Sequence, residues 1–184
     1  MEISIKDFLK LDIKDEVFII ETDTVYGIGC LYSSEIGAKR IMDIKGRDES
    51  KFFSLLVSNM YQVEELTTDS KKYIDITDKY WPGAITFIYT KSDKVRDYIS
   101  KTDTVGLRMP ASPKVLRLME KFGPIIMTSL NKSGEKPLTK YSDTLKYVGT
   151  VDYIIQGSDL SGIPSTVYDL KNKKTLREGS IHID

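Results

Sequence analysis

Short apolar runs alternate with segments of helical period along this chain, and the alternation constrains the fold more than any other sequence feature. Short apolar runs predict strands at residues 17–20, 54–57, 84–89, 105–107, 125–127, 153–155, 166–170 and 175–177. Helical spacing and capping residues predict helices from Ser33 or Ser34 to Gly46 and at residues 60–66, 70–80 and 112–123. Several late strands follow one another without a helix. The pattern therefore predicts an α/β or α+β sandwich with a mixed sheet.

Composition limits the class of protein. The 184 residues are 40% hydrophobic, which predicts one core and one domain spanning residues 1–184. Basic and acidic residues number 27 each, so any basic site must be local. One cysteine excludes a disulfide framework and a multi-cysteine zinc site. The sequence has no signal-peptide core and no apolar run near the roughly 20 residues of a membrane span, so a cytoplasmic protein without membrane contact is expected.

The residue types that are missing narrow the chemistry further. His182 is the only histidine and lies two residues from the C-terminal Asp184, so a serine or cysteine nucleophile has no evident base. No P-loop is present, and the Gly27-x-Gly29 pair lacks the third glycine of a dinucleotide motif. Cys30 is interpreted as a small packing residue rather than a reactive thiol.

Three segments of the chain share a pattern in which a polar residue is followed by threonine and valine. A hydroxyl residue and a valine adjoin in Asp23-Thr24-Val25, Asp103-Thr104-Val105 and Ser165-Thr166-Val167, at irregular spacing. Two interpretations remain open for each. They are ordinary strand entries in which a polar side chain satisfies the backbone, or they bring three hydroxyl groups to one end of the sheet.

Cations also occupy predicted loop positions. Lys45 and Arg47 flank Gly46 where a helix ends, Lys51 follows, and Arg108 and Arg177 lie at strand ends. Isolated surface cations are usually solvated, and basic residues favour the C-terminal ends of helices. Arginine at a rigid strand end also suits phosphate binding, because a planar guanidinium donates paired hydrogen bonds. The donor-rich segment at 128–134 is either an ordinary turn or a nucleotide contact.

Six short motifs together resemble the YrdC-like family, the threonylcarbamoyl-AMP synthases. They are ETDTVYG at 21–27, KGR at 45–47, VGLRMP at 105–110, TSLNKSG at 128–134, PSTV at 164–167 and LREG at 176–179. Each motif alone is weakly specific, but all six occur in the family's order over most of the chain. The resemblance implies a single-domain twisted sheet with flanking helices and a basic concave cavity. It also implies synthesis of threonylcarbamoyl-AMP and pyrophosphate from L-threonine, bicarbonate and ATP.

The resemblance also implies roles for individual residues. ATP would be held by Lys45, Arg47, Thr104, Ser129, Asn131 and Arg177. L-Threonine would be held by Thr24, Lys51, Arg108, Thr128 and Ser165. Lys45, Arg47 and Arg108 would act on the reacting groups, and Tyr26 would shape the pocket wall or else turn its phenol into the core. Thr24 would place its hydroxyl on threonine, while Gly27 and Gly29 would let the backbone turn close to the ligand.

Cofactor and partners are implied in the same way. Mg²⁺ would enter with ATP and keep several waters, without a dedicated carboxylate cage. The adenylate would pass to a tRNA threonylcarbamoyl transferase complex for modification of tRNA next to the anticodon, with weak tRNA binding by this protein.

The chain departs from the family pattern at Glu21, Asp48, Phe52, Phe53 and Leu130. These departures affect loop rigidity and pocket shape, and none removes a required charge or hydroxyl.

Two other functions are compatible with parts of the sequence. A non-catalytic module for double-stranded RNA or tRNA would use the same basic concavity, although the balanced charge disfavours it. A carbamoyl-transfer domain that uses carbamoyl phosphate and ATP belongs to much larger proteins with zinc-finger and acylphosphatase parts, and the single cysteine of this chain provides no zinc finger.

Overall fold

The computed structural model describes residues 1–46 and 53–183. The strands are β1 (Glu2–Ile3), β2 (Phe18–Glu21), β3 (Tyr26–Leu31), β4 (Ser54–Leu56), β5 (Ile85–Thr90), β6 (Thr104–Arg108), β7 (Ile125–Ser129), β8 (Tyr153–Ile155), β9 (Thr166–Asp169) and β10 (Lys174–Arg177). The helices are α1 (Ile5–Phe8), α2 (Glu35–Lys45), α3 (Met60–Leu66), α4 (Ile74–Tyr80), α5 (Pro113–Phe122) and α6 (Tyr141–Thr144), with 3-10 turns at Ser70–Tyr73 and Leu145–Tyr147. None of the described helices is both long and apolar enough to span a bilayer.

The strands of the described residues form one mixed sheet with the order β1-β8-β2-β3-β7-β4-β6-β5-β9-β10. The neighbours β1 and β8, β8 and β2, β4 and β6, and β5 and β9 run parallel, and the other neighbours run antiparallel. The predicted mixed sheet is therefore confirmed. Helices cover both faces, so most strands are buried on both sides.

The two longest helices begin and end at the residues that the sequence predicts. The Ser34 hydroxyl accepts the Gly37 N–H at 2.9 Å, and Gly46 ends α2 in the left-handed region with φ of 55°. Ser112 is the N-cap of α5 and Pro113 occupies its first turn. The apolar face of α5 is buried, and each such side chain contributes about 1.5–3 kcal/mol to the free energy of folding.

The strand β3 is the main element that the sequence prediction missed; the short elements β1, α1 and α6 were also missed. Glycine is disfavoured in strands, so the sequence predicts a turn at Gly27 and Gly29. In the structure the turn lies earlier, where Thr22 N–H donates to the Val25 carbonyl at 3.3 Å, and β3 then pairs with both β2 and β7. The prediction that both glycines turn the backbone is wrong.

The absent side chain of Gly29 permits close packing between β3 and β7. A Cβ there would lie 2.6 Å from the Ile126 carbonyl oxygen, a backbone atom that cannot move aside alone. Gly29→Ala is expected to lower the free energy of unfolding by about 1–3 kcal/mol, because overpacking displaces the strand. Gly106→Ala is the control, because a Cβ at that position would meet only side-chain atoms, at 3.2–3.4 Å. Urea denaturation of the wild type and the two variants measures the loss of unfolding free energy in each. Equal losses in the two variants would contradict the packing argument.

Candidate functional site

A cavity of about 140 Å³ lies on one face of the middle strands. Its lining combines hydroxyl groups, two guanidinium groups and a few apolar side chains. The lining residues are Thr22, Thr24, Val25, Gly27, Ser54, Leu56, Thr86, Arg108, Met127, Thr128, Ser129, Pro164, Ser165 and Arg177. A cavity of this composition suits a small polar ligand that carries negative charge.

Strand register explains why distant residues meet at this cavity. Residues that pair directly on neighbouring strands project to the same face of a sheet. Gly27 on β3 pairs with Ser129 on β7, and Leu56 on β4 pairs with Arg108 on β6. Ser54 on β4 pairs with Met127 on β7, two positions from Ser129, so these positions lie on one face across four strands.

Arg108 is held on three sides. Its Nε donates to the Gly83 carbonyl at 3.2 Å, one terminal nitrogen donates to the Thr24 hydroxyl at 3.2 Å, and the other donates to Asp23 Oδ1 at 2.5 Å. Only 8% of the Arg108 side chain is exposed. A guanidinium has five N–H donors, so two remain for a ligand in a fixed orientation.

Arg177 reaches the same cavity from the edge of the sheet. Its Nε and one terminal nitrogen donate to the Ser165 carbonyl at 3.0 and 2.7 Å, and the terminal nitrogen also lies 3.1 Å from Ser165 Oγ. The Ser165 hydroxyl lies 3.2 Å from the hydroxyl of Thr86. Arg177, Ser165 and Thr86 therefore form one hydrogen-bonded chain along the cavity wall.

The two arginines differ in charge compensation. Arg108 pairs with Asp23, whereas Arg177 makes no ion pair with any carboxylate in residues 1–46 and 53–183. Burial, together with the nearby charge of Arg108, lowers the pKa of Arg177 from its ordinary value. Arginine stays protonated in proteins, so this shift indicates an unfavourable positive charge that a bound anion would stabilise.

Lys45 lies beside the cavity at the end of α2 and is 5% exposed. Its ammonium group donates to the Ser129 carbonyl, to the Asn131 carbonyl at 2.8 Å and to Asn131 Oδ1 at 3.3 Å. Ser129 Oγ also lies 2.6 Å from Asn131 Oδ1. Lys45 therefore fixes the end of β7 and the segment that follows it, and with them two other residues predicted to hold ATP, Ser129 and Asn131.

The structure brings most of the predicted residues together. Those that line the cavity are Thr24, Arg108, Thr128, Ser129, Ser165 and Arg177. Lys45 and Asn131 adjoin them through Ser129. Arg47 and Lys51 lie outside the described residues, so their roles stay predictions.

Two predicted residues are not brought to this cavity. Thr104 begins β6, four positions before Arg108, and its hydroxyl lies 3.1 Å from that of Thr102. Its ATP contact stays a prediction. Tyr26 is fully buried in the hydrophobic core and donates to the Ser158 carbonyl at 2.8 Å, because side chains alternate along β3 and its neighbour Gly27 faces the cavity. Of the two orientations predicted for Tyr26, the structure therefore shows the one into the core and not the one at the pocket wall.

The sequence interpretation also missed several cavity residues. Thr22, Ser54 and Thr86 all contribute hydroxyl groups. Thr22 belongs to the first motif, but Ser54 and Thr86 lie in ordinary strand sequences and become visible only through register. Two of the three segments that share the polar-threonine-valine pattern bring a hydroxyl group to the cavity, through Thr24 and Ser165. Thr104 and Thr166 instead begin strands.

Cys30 is fully buried, and burial raises the pKa of its thiol to about 12. It is therefore a protonated packing residue at neutral pH, as the sequence interpretation proposed. In residues 1–46 and 53–183 no three His, Cys, Asp or Glu side chains are grouped as metal ligands.

Residues 13–179 match the family model Sua5_yciO_yrdC, whose description is telomere recombination. A threonylcarbamoyl-AMP synthase from Pseudoalteromonas translucida is 30% identical over 171 residues, which cover 88% of this chain and 90% of that protein. These matches confirm the family resemblance found in the sequence.

Two solved structures show the same fold. The Pyrococcus abyssi Sua5 protein complexed with L-threonine is 30% identical with a TM-score of 0.89, and the match covers 96% of this chain and 54% of that one. E. coli YciO is 26% identical with a TM-score of 0.86, and the match covers 97% of this chain and 90% of that one. This chain thus spans about half the length of the Pyrococcus protein.

Proposed function

This chain belongs to the Sua5/YciO/YrdC family, and from that premise we propose that it converts L-threonine, bicarbonate and ATP into threonylcarbamoyl-AMP and pyrophosphate. The observation that carries the proposal is the convergence of Thr24, Arg108, Ser165 and Arg177 on one cavity. A relative of the same fold is complexed with L-threonine, which supports an amino-acid substrate. The product is proposed to serve threonylcarbamoyladenosine modification of tRNA.

The reaction needs positioning and charge stabilisation rather than a protein nucleophile. The amine of threonine adds to CO2 derived from bicarbonate and gives a carbamate. A carbamate oxygen then attacks the α-phosphorus of ATP, and pyrophosphate leaves. Fixed donors that face the developing charge stabilise such a transition state, and each contributes on the order of 3 kcal/mol. None of the described residues that line the cavity is a histidine, so a nucleophile there would have no imidazole base, which is consistent with this chemistry.

The two sides of the cavity have separate proposed roles. Thr24, Arg108, Thr128 and Ser165 hold threonine and the carbamate derived from it. Lys45, Ser129, Asn131 and Arg177 hold ATP, together with Arg47 and Thr104 as predicted from the family motifs. Arg177 supports this division, because it presents a positive charge without a carboxylate partner among the described residues.

Mg²⁺ is proposed to arrive with ATP, where it would screen the triphosphate charge. The described residues contribute hydroxyl and amide oxygens at this site, a donor set that suits a largely hydrated Mg²⁺ bound through phosphate oxygens.

Transfer of the labile adenylate to a tRNA threonylcarbamoyl transferase complex follows from the same proposal. Weak tRNA binding and the single-domain organisation of residues 1–184 stay predictions.

The function is tested by omitting one substrate at a time. Purified protein with ATP and Mg²⁺ is expected to release pyrophosphate only when both L-threonine and bicarbonate are present. Release without threonine, or none under any combination from a folded protein, would contradict the proposal. RNA affinity that falls steeply with salt, without pyrophosphate release, would instead favour the non-catalytic RNA module.

Thr24 offers a test of the threonine side. Its hydroxyl lies 3.0 Å from that of Thr22 and accepts from Arg108, so Thr24→Val keeps the side-chain shape and removes both interactions. The KM for L-threonine is expected to rise about tenfold, the effect of one hydrogen bond to a charged group. Thr67→Val is the matched control, because Thr67 is also 5% exposed and its hydroxyl donates to the backbone of α3 away from the cavity. A wild-type KM in Thr24→Val would remove Thr24 from the site.

A further inference from the structure

Asp23 does not line the cavity, yet its contact to the Arg108 guanidinium is shorter than those of Gly83 and Thr24. It lies in the turn between β2 and β3, and its side chain is 14% exposed. One carboxylate oxygen lies 2.5 Å from Arg108, and the other accepts the Ala111 N–H at 3.1 Å. Asp23 therefore ties together the β2–β3 turn, the end of β6 and the loop that leads to α5.

The Asp23 carboxylate affects both the charge and the orientation of the Arg108 guanidinium, and a neutral group would do so less effectively. It compensates the charge of a guanidinium that is 8% exposed, where an unpaired cation is costly. It also accepts from one terminal nitrogen while Thr24 accepts from the other, which fixes the rotation of the guanidinium plane. Because Ala111 fixes the carboxylate in turn, the orientation of Arg108 is determined before any ligand binds.

We infer that Asp23 is a positioning residue, which holds Arg108 so that its remaining N–H groups face the carboxylate or carbamate of the threonine-derived substrate. The inference rests on the proposed function for the identity of that substrate. Its effect is confined to the threonine side of the cavity, because Arg177 and Lys45 have hydrogen-bond partners other than Asp23.

Asp23→Asn removes the charge at nearly constant volume. The KM for L-threonine is expected to rise tenfold or more, the KM for ATP to stay within about twofold, and Asp23→Glu to recover part of the loss because the carboxylate remains. A general structural defect would shift both KM values. A wild-type KM for threonine in Asp23→Asn, or equal shifts for both substrates, would overturn the inference.

A matched control exists elsewhere in the chain. Asp152 also bridges an arginine and a backbone amide, with Oδ2 at 2.7 Å from Arg40 and 2.7 Å from the Val17 nitrogen. It lies at β8, and neither it nor Arg40 lines the cavity. Asp152→Asn is therefore expected to leave both KM values unchanged, although it removes the same kind of ion pair.

A spectroscopic measurement tests the positioning without any turnover. In proton–nitrogen NMR spectra, the terminal Nη–H signals of Arg108 are expected to be resolved in the wild type and to broaden or exchange rapidly in Asp23→Asn, because a terminal nitrogen makes the contact to Asp23. Unchanged Nη–H signals of Arg108 would overturn the inference even if the wild type proved inactive. Wild-type inactivity itself would contradict only the proposed function.

Discussion

Arg108→Lys is expected to lower kcat/KM for L-threonine by about a hundredfold, which corresponds to about 3 kcal/mol of transition-state stabilisation. Lysine keeps the positive charge but presents one ammonium group where the guanidinium now donates to Gly83, Thr24 and Asp23 in different directions. An ammonium group at that position cannot keep all three contacts and also offer two further donors to a ligand. Steady-state kinetics with threonine as the varied substrate measure the effect.

Arg40→Lys is the control for this substitution. Arg40 also pairs with an aspartate, Asp152, at 2.7 Å, but its side chain is 37% exposed and does not line the cavity. Its replacement is expected to change kcat/KM by less than about twofold. If Arg108→Lys also stayed within twofold of the wild type, the fork geometry of Arg108 would have no part in the reaction.

Lys45→Met is expected to have two measurable effects. It removes the ammonium group that satisfies the backbone carbonyls of Ser129 and Asn131, so the free energy of unfolding should fall by about 2–3 kcal/mol. The same loss releases the segment after β7, so kcat/KM for ATP should fall by about a hundredfold, comparable to the loss of one fixed donor. Thermal or urea denaturation and kinetics at varied ATP separate the two effects.

Lys39→Met on the same helix controls for the loss of a lysine. Its side chain is 69% exposed, and its ion pair with Glu35 at 2.9 Å is of the surface i,i+4 kind. Such pairs contribute about 0.3–0.5 kcal/mol, so stability and ATP kinetics should change little. Wild-type ATP kinetics in Lys45→Met would place Lys45 outside the ATP site and leave it a purely structural residue.

Local signals in the sequence were sufficient for the longer helices and for most strands, but not for the four-residue helices α1 and α6. Ser34, Gly46, Ser112 and Pro113 have the capping roles that their residue types favour, and the apolar runs became strands. The strand β3 was missed because its two glycines are locally unfavourable there. The close approach of Ile126 and Met127 on β7 explains their presence, and that approach depends on residues about 100 positions away.

In the candidate site, too, residues with a local sequence signal were predicted, and residues that depend on pairing between distant strands were not. Residues in recognisable motifs, such as Arg108, Ser165 and Arg177, were predicted and do converge on one cavity. Ser54 and Thr86 were not predicted, because single hydroxyl residues in strands carry no motif and reach the cavity only through pairing register. Tyr26 belongs to the first motif, which favours a place at the pocket wall, but the alternation of side chains along β3 directs it into the core.

The proposed synthesis of a mixed adenylate from three substrates is tested by direct detection of that product. Purified protein, ATP, Mg²⁺, L-threonine and carbon-13 bicarbonate are mixed, quenched rapidly and analysed by mass spectrometry. The account predicts an adenylate that contains threonine and carries the carbon-13 label, and predicts its loss when threonine is omitted. A folded protein that binds ATP and threonine but yields no labelled adenylate would contradict the account.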